Sequence, residues 1–315
     1  MLVTSLEIEY KDLDKSKYPE SKFPHLYKPL KNIERVILFC GIETPPTFKI
    51  IYGSNVLGLN SFYKDLNLIF NINGVKLNGI ITSNSQSTLG GFIISREVFY
   101  DRISTNLTKN LEESIKELAI RSEIENLNNL NLPEDDDQYF QVINETRLEA
   151  CTRLLTSVPD QLYYIGLSDK IVMLDINKNQ ENNTSETIKE LPTKSIISPL
   201  KYNKLSDTNY SADNAIYDSQ SNVGANIRYG KYNLPITKVA SCTVSFSPLF
   251  HNILHRLNTL RNSIGEVVFE DISSDFDVGD FVCDYSGNKF IIWNQQIQYR
   301  NSSFTSSYTA KQLEV

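Results

Sequence analysis

The most pointed chemistry in the chain would come from two histidines. His251 and His255 stand at i and i+4 in the run HNILH, so on a helix both imidazoles project from one face, as a pair of metal ligands can. Asn252 occupies the place where a metalloprotease pattern needs a glutamate base, and His25 is far away. The pair therefore reads as polar-boundary residues of an amphipathic helix, and no metal is expected. Asp275, Asp277 and Asp280 in SSDFDVGD resemble a calcium loop until they are counted. From Asp275, Gly279 takes the fifth place, Asp280 the sixth and Ser286 the twelfth, where calcium needs an oxygen ligand, a glycine and a glutamate. An acidic turn between strands accounts for them.

Other residues that could do chemistry have simpler readings. Glu134, Asp135, Asp136 and Asp137 follow Pro133, as acids do at the positive end of a helix. Gly90-Gly91 precedes a strand and lacks a Lys-Ser/Thr, so it is no phosphate loop. Cys40, Cys151, Cys242 and Cys283 are far apart in apolar runs, which predicts buried, reduced thiols rather than a metal cluster. Trp293 ends an apolar strand, where core packing competes with stacking on a ligand. No GxSxG and no Cys/His pairing is present, so no catalytic residue, no cofactor and no enzyme is expected.

The elements that position these residues come from periodicity. Residues 1–31 form an extended arm, with Pro19, Pro24 and Pro29 spaced among Tyr18, Phe23 and Tyr27; it should lie across its own domain or a neighbouring chain. Residues 32–96 read as a β-rich domain, and Asn73-Gly74 between alternating runs predicts a type I′ hairpin. Over 97–157 the period changes. Ile103, Leu107, Leu111, Ile115, Leu118 and Ser122 predict one helix over 97–127, and a second is expected from Pro133, together a helical hairpin insertion. Residues 158–235 carry a β-hairpin with a Ser-Asp turn and then a long polar loop bearing Tyr202, Tyr210, Tyr217, Tyr229 and Tyr232. Residues 236–299 read as β-α-β, with a helix from Ser247-Pro248 that Gly265 caps, and residues 300–315 as a polar tail. The fold class is α+β: β-rich lobes with an inserted helical hairpin and a long polar loop.

Composition excludes several functions. The chain has 315 residues, 31 Lys+Arg against 38 Asp+Glu, and a net charge of −7. With no basic stripe, nucleic acid is not expected as the main partner. No window approaches an 18-residue apolar run, and the N-terminus lacks the pattern of a signal peptide, so neither membrane insertion nor secretion is expected. The count of 31 asparagines matches that of Lys and Arg together.

Three features are poor at folding alone and good at reaching neighbours: the Pro/Tyr arm, the tyrosine-studded loop and the polar tail. In this texture, and in its richness in Asn, Ile, Lys and Tyr, the chain resembles virion proteins of tailed bacteriophages, of the neck, tail or baseplate type. The resemblance implies a non-enzymatic structural subunit, located in the virion and assembled in the host cytoplasm. Its partners would be other copies and other proteins of the same assembly, met through Tyr18, Phe23, Tyr27, Tyr202, Tyr210, Tyr217, Tyr229 and Tyr232. A glycan- or receptor-binding module, with Trp293 and loop tyrosines stacking on sugars, is the alternative; an enzyme of unrecognised type is the next.

Overall fold

A computed structural model describes residues 2–30, 33–53, 66–85, 87–108, 110–127, 141–156, 158, 161–175, 189–191, 196–201, 215–218, 225–229, 237–239, 263–271, 276–284 and 287–313. The first half holds β1 (Leu6–Lys11), β2 (Ile33–Gly41), β3 (Thr44–Tyr52), β4 (Asn67–Ile72), β5 (Val75–Asn84) and β6 (Thr88–Phe92). There follow α1 (Arg96–Tyr100), β7 (Arg102–Asn106), α2 (Leu111–Leu118), β8 (Glu123–Glu125), β9 (Gln141–Thr146) and α3 (Arg147–Thr156). Next come β10 (Gln161–Ile165), β11 (Lys170–Asp175), β12 (Lys189–Glu190), β13 (Ile196–Lys201), β14 (Ala215–Asp218), β15 (Ala225–Tyr229) and β16 (Thr237–Val239). The last strands are β17 (Ser263–Asp271), β18 (Phe281–Cys283), β19 (Lys289–Arg300) and β20 (Ser303–Leu313).

Twelve strands share one sheet, in the order β1-β4-β5-β6-β3-β2-β19-β20-β17-β13, with β18 added to β19 and β12 to β18. The regions expected as separate β-rich lobes are thus one sheet, joined where Arg35–Gly41 of β2 pair with Asn294–Arg300 of β19. Only the first residues of β19 pair with β18, so two strands share one edge of β19 and the sheet forks there. The first part of β19 is buried on both faces. Ile291, Trp293 and Ile297 enter the large core with Leu38, Phe48 and Phe70, whereas Phe290 and Ile292 enter a second core with Phe269, Tyr308 and Val282.

The hairpin expected at Asn73-Gly74 forms. Asn73 has φ 50° and Gly74 φ 86°, and Ile72 faces Val75 across the turn. Leu68, Phe70 and Ile72 alternate into the core with no exposed surface. On the next strands Gly91 is required, because a Cβ there would lie 1.9 Å from the Ile80 carbonyl oxygen. The arm lies across its own domain: β1 extends the sheet beyond β4, and Tyr18 and Leu26 are buried in the large core.

Four expectations give way. The single helix over 97–127 is α1, β7, α2 and β8 in succession. Its apolar stripe is nevertheless buried, since Leu107, Leu111, Ile115 and Leu118 all enter a third core. The helix starts locally because the Asn110 side chain accepts from the N–H groups of Glu112 and Glu113 at 2.9 and 3.3 Å. Of the second expected helix, the described part is a strand, β9, followed by α3, which begins at Arg147. Thr146 and Glu149 form a reciprocal cap, with side-chain bonds of 2.8 and 3.1 Å. Gly265 lies within β17 rather than capping a helix. The polar tail is a strand: β20 runs between β19 and β17, with Ser306, Tyr308 and Ala310 alternately buried. The protein is accordingly strand-rich, with short helices, and the α+β description holds only loosely. The Ser247–Ile264 helix and Pro133–Asp137 lie largely or wholly outside the described residues.

Candidate functional site

The large core is open to solvent at one recess. The small sheet β10-β11-β8 leans on the turn between β2 and β3, where the Glu43 N–H donates to the Tyr163 carbonyl at 2.8 Å and the Ile42 N–H to the Trp293 carbonyl at 2.9 Å. Beside this junction opens a cleft of about 640 Å³, with Cys40, Tyr164 and Gln295 in its lining and lysines and acids around it. Lys170 Nζ lies 3.3 Å from Glu125 and 3.7 Å from Glu123, and Lys189 Nζ lies 2.9 Å from Asp280. Each of these lysines is matched by an acid of the same chain.

The polar groups beneath are equally settled. Cys40 Sγ donates to Gln295 Oε1 at 3.9 Å, Gln295 Nε2 donates to the Tyr308 hydroxyl at 3.2 Å, and that hydroxyl donates to the Phe276 carbonyl at 3.2 Å. Burial pushes the Cys40 thiol up to about 12, and it pushes the Tyr164 phenol above its ordinary range, with Cys40, Glu125 and Asp280 adding to the effect. Neither group is an activated nucleophile at neutral pH.

The residues singled out from sequence are scattered. Asp277 and Asp280 form a closed turn: Asp280 Oδ2 accepts from the Asp277 N–H at 3.0 Å and from Lys189. Among the described residues no group of three His, Cys, Asp or Glu side chains could hold a metal. His251, His255, Tyr202, Tyr210 and Tyr232 lie outside the described residues, and Tyr217 and Tyr229 are placed by backbone only, in β14 and β15. Tyr18, Phe23 and Tyr27 do come together. Tyr18 and Phe23 meet edge to face at 5.7 Å, and the Tyr27 hydroxyl donates to the Tyr18 carbonyl at 2.6 Å. Tyr18 is 3% exposed, so its ring faces the chain's own core. Trp293 is 8% exposed, and Lys311 Nζ sits 4.2 Å from its ring centroid, so the stacking face is already covered. Cys40 and Cys151 are buried free thiols, and Cys283 is half-buried.

One structural residue escaped the sequence reading. Arg121 is 7% exposed and donates to the carbonyls of Ile93, Ile120 and Gly166 at 2.9–3.1 Å. It ties the helical region to the end of β6 and to the β10–β11 turn, while burial pulls its pKa down to about 10. An arginine directly after an apolar stripe is the only sequence signal for it. Beside it, Ser122 donates through its hydroxyl to the Asp169 carboxylate.

No protein-family model matches the chain, and no curated protein sequence matches it. Solved structures do. A tail protein from Neisseria meningitidis superposes with a TM-score of 0.56 at 14% identity, covering 98% of this chain and 96% of that one. A 43 kDa prophage tail protein from Shewanella oneidensis gives 0.56 at 10% identity, over 97% and 98%. A component of the E. coli type VI secretion system, described as structurally similar to bacteriophage T4 tail proteins, gives 0.50 at 12% identity, over 89% and 73%. No helix among the described residues is long and apolar enough to cross a membrane. The chain has the fold of these tail proteins over nearly its full length.

Proposed function

We propose that the chain is a non-enzymatic structural subunit of a phage-tail-type particle, built into the virion in the host cytoplasm and packed against other copies and other proteins of that particle. The observation that carries this reading is the shared fold over nearly the full length of both chains, 98% of this one and 96% of the Neisseria tail protein. Of the neck, tail and baseplate positions, the likenesses favour the tail. The paired charges of the cleft and the protonated Cys40 support a mechanical rather than a chemical role. Trp293 is covered, which weighs against sugar stacking. In this reading Tyr18, Phe23 and Tyr27 anchor the arm. Contacts with neighbours fall to the surface of the small sheets and to the tyrosines of residues 202–232. Neither nucleic acid nor lipid is the main partner. The test is to purify tailed particles from a host carrying the gene and measure the chain by quantitative mass spectrometry. Stoichiometric copies, lost together with the tail when the gene is deleted, are expected. Intact, functional tails lacking the chain would overturn the proposal.

A further inference from the structure

The start of the chain is fastened to the sheet at one side chain. Asn73 Oδ1 accepts from the Thr4 N–H at 2.8 Å, from the Ser5 N–H at 3.1 Å and from the Thr4 hydroxyl at 3.1 Å. Its Nδ2 donates to the Leu2 carbonyl at 2.6 Å, and its backbone N–H donates to the Ser5 carbonyl at 3.2 Å. The same residue is the first of an exposed two-residue turn, followed by Gly74 at φ 86° with open space around its Cα. Asparagine before glycine is the pair most open to attack by the following backbone nitrogen, because no side chain shields that nitrogen. The most labile amide bond of the turn is thus also the clamp on residues 2–5.

We propose that Asn73 is a deamidation site gated by residues 2–5. In the reaction the Gly74 backbone nitrogen attacks Asn73 Cγ and a new N–Cγ bond forms. Nδ2 leaves as ammonia, carrying the proton from the Gly74 nitrogen. The cyclic imide then takes up one water at either carbonyl and opens to aspartate or isoaspartate. Water is the only co-reactant, and no electrons change hands. Ring closure requires the carboxamide to turn out of its hydrogen bonds, and ammonia cannot depart while Nδ2 is held by Leu2. The grip therefore protects the site, and opening of residues 2–5 exposes it. The product breaks the clamp at its Leu2 end, while its oxygen still accepts from Thr4 and Ser5. A carboxylate has no N–H for the Leu2 carbonyl and sets a negative charge against it. The isoaspartate form also lengthens the backbone inside a two-residue turn and disturbs the Ile72–Val75 pairing. Conversion to aspartate would loosen residues 2–5 and the start of β1 while leaving the β4–β5 pairing in place; conversion to isoaspartate would disturb both. This inference is independent of the tail reading.

The experiment follows the peptide containing Asn73 by mass spectrometry while the full-length chain is held in mildly alkaline buffer. Folded wild type should deamidate roughly tenfold or more slowly than the same chain in urea, since the opening costs more than one hydrogen bond and about 1.4 kcal/mol is tenfold. The double variant Thr4→Pro/Ser5→Pro removes both backbone donors, and with its circular dichroism melt still cooperative it should approach the urea rate. In Asn73→Asp, amide exchange should rise at residues 4–8 and stay unchanged in β5. The proposal is overturned if folded and urea rates agree, if the folded double variant keeps the wild-type rate, or if Asn73→Asp leaves residues 4–8 protected. Should the double variant fail to fold, the folded and urea rates of wild type and the amide exchange of Asn73→Asp decide between gating and free deamidation.

Discussion

Two hairpins in the sheet turn on the same geometry and are built from different materials. Between β4 and β5 the turn is Asn73-Gly74; between β19 and β20 it is Asn301-Ser302, with φ 49° and 62°. In each, two residues with positive φ join strands whose flanking residues face one another, Ile72 with Val75 and Arg300 with Ser303. The strands differ more than the turns. β4 buries Leu68, Phe70 and Ile72, whereas β20 buries Ser306, Tyr308 and Ala310. A strand can occupy the middle of a sheet with a single large fully buried ring among small and polar residues when its neighbours supply the rest of the bulk. Phe269 stacks on Tyr308 at 5.2 Å and Phe276 meets it edge-on at 5.7 Å, while the tyrosine hydroxyl is satisfied by Gln295 and the Phe276 carbonyl.

The comparison breaks most sharply if β20 is removed. Deleting residues 303–315 strips the paired edges of both β19 and β17 and uncovers the second core. The loss should exceed the whole net stability of a typical domain, about 5–15 kcal/mol, and leave no cooperative melt. A truncated chain that still unfolds cooperatively would show that the C-terminus is a tail after all. Tyr308→Ala keeps the strand but empties its largest buried position, and should cost about 3–5 kcal/mol in denaturant unfolding, as much as Phe70→Ala in the apolar hairpin. Tyr308→Phe isolates the hydroxyl. It leaves Gln295 Nε2 and the Phe276 carbonyl without that partner and should cost about 1–2 kcal/mol. A neutral Tyr308→Phe would mean that the network adds nothing to packing.

These contrasts explain what could be read from residues alone. Strands β2 to β6 announce themselves by Ile, Val and Phe alternation and by Asn73-Gly74. β20 does not, because Ser306 and Ala310 carry no hydrophobic signal and the aromatic bulk around Tyr308 comes from the distant residues Phe276 and Phe269. At Ile103–Leu118 the stripe was right about burial and wrong about the element, since one buried face can be assembled from a strand, a loop and a short helix. Asn110 with Glu113, and Thr146 with Glu149, each place an acid three residues after a capping side chain, a local start signal that the longer apolar stripe overrode in the sequence reading. The cleft was not legible, because its Cys40, Tyr164, Lys189 and Asp280 are brought together by sheet pairing alone. Neither was the fate of Tyr18, Phe23 and Tyr27: proline spacing predicts an extended arm, but whether it lies on its own core depends on β4 offering a free edge.

The same edge of β19 allows a comparison of thiols. Cys40, on β2, is 3% exposed, and burial pushes it up to about 12; Cys283, on β18, is half-buried and raised less, by desolvation first and by Glu190 and Asp284 after it. An ordinary thiol ionises near 8.5. Below that value Cys40 is protonated both folded and unfolded, and its contribution is fully present. Above it the unfolded chain loses the proton and the folded chain keeps it, so stability falls by about 1.4 kcal/mol per pH unit until the folded value is reached. Urea unfolding at stepped alkaline pH should give Cys40→Ala a shallower decline by that amount. Cys283→Ala should change the slope much less. Equal slopes for wild type and Cys40→Ala would mean that the thiol is not held in a dry core.

The smallest effect separates the two turns themselves. Ser302 holds φ 62° with a side chain, a conformation that costs an L-residue roughly 1–2 kcal/mol, whereas Gly74 holds φ 86° without that strain. Ser302→Gly relieves the strain but loosens the unfolded chain, which takes back about 0.4–1 kcal/mol. The net should be a gain of about 0.5 kcal/mol, small because the two terms nearly cancel. Gly74→Ser should run the same balance backwards, with a loss of similar size; nothing lies within 4 Å of a Cβ built there, so sterics add nothing. Opposite signs in paired denaturant melts would establish that both hairpins use one turn geometry. A loss at Ser302→Gly would show instead that the serine side chain holds the β19–β20 turn by a contact of its own, and the equivalence of the two turns would fail.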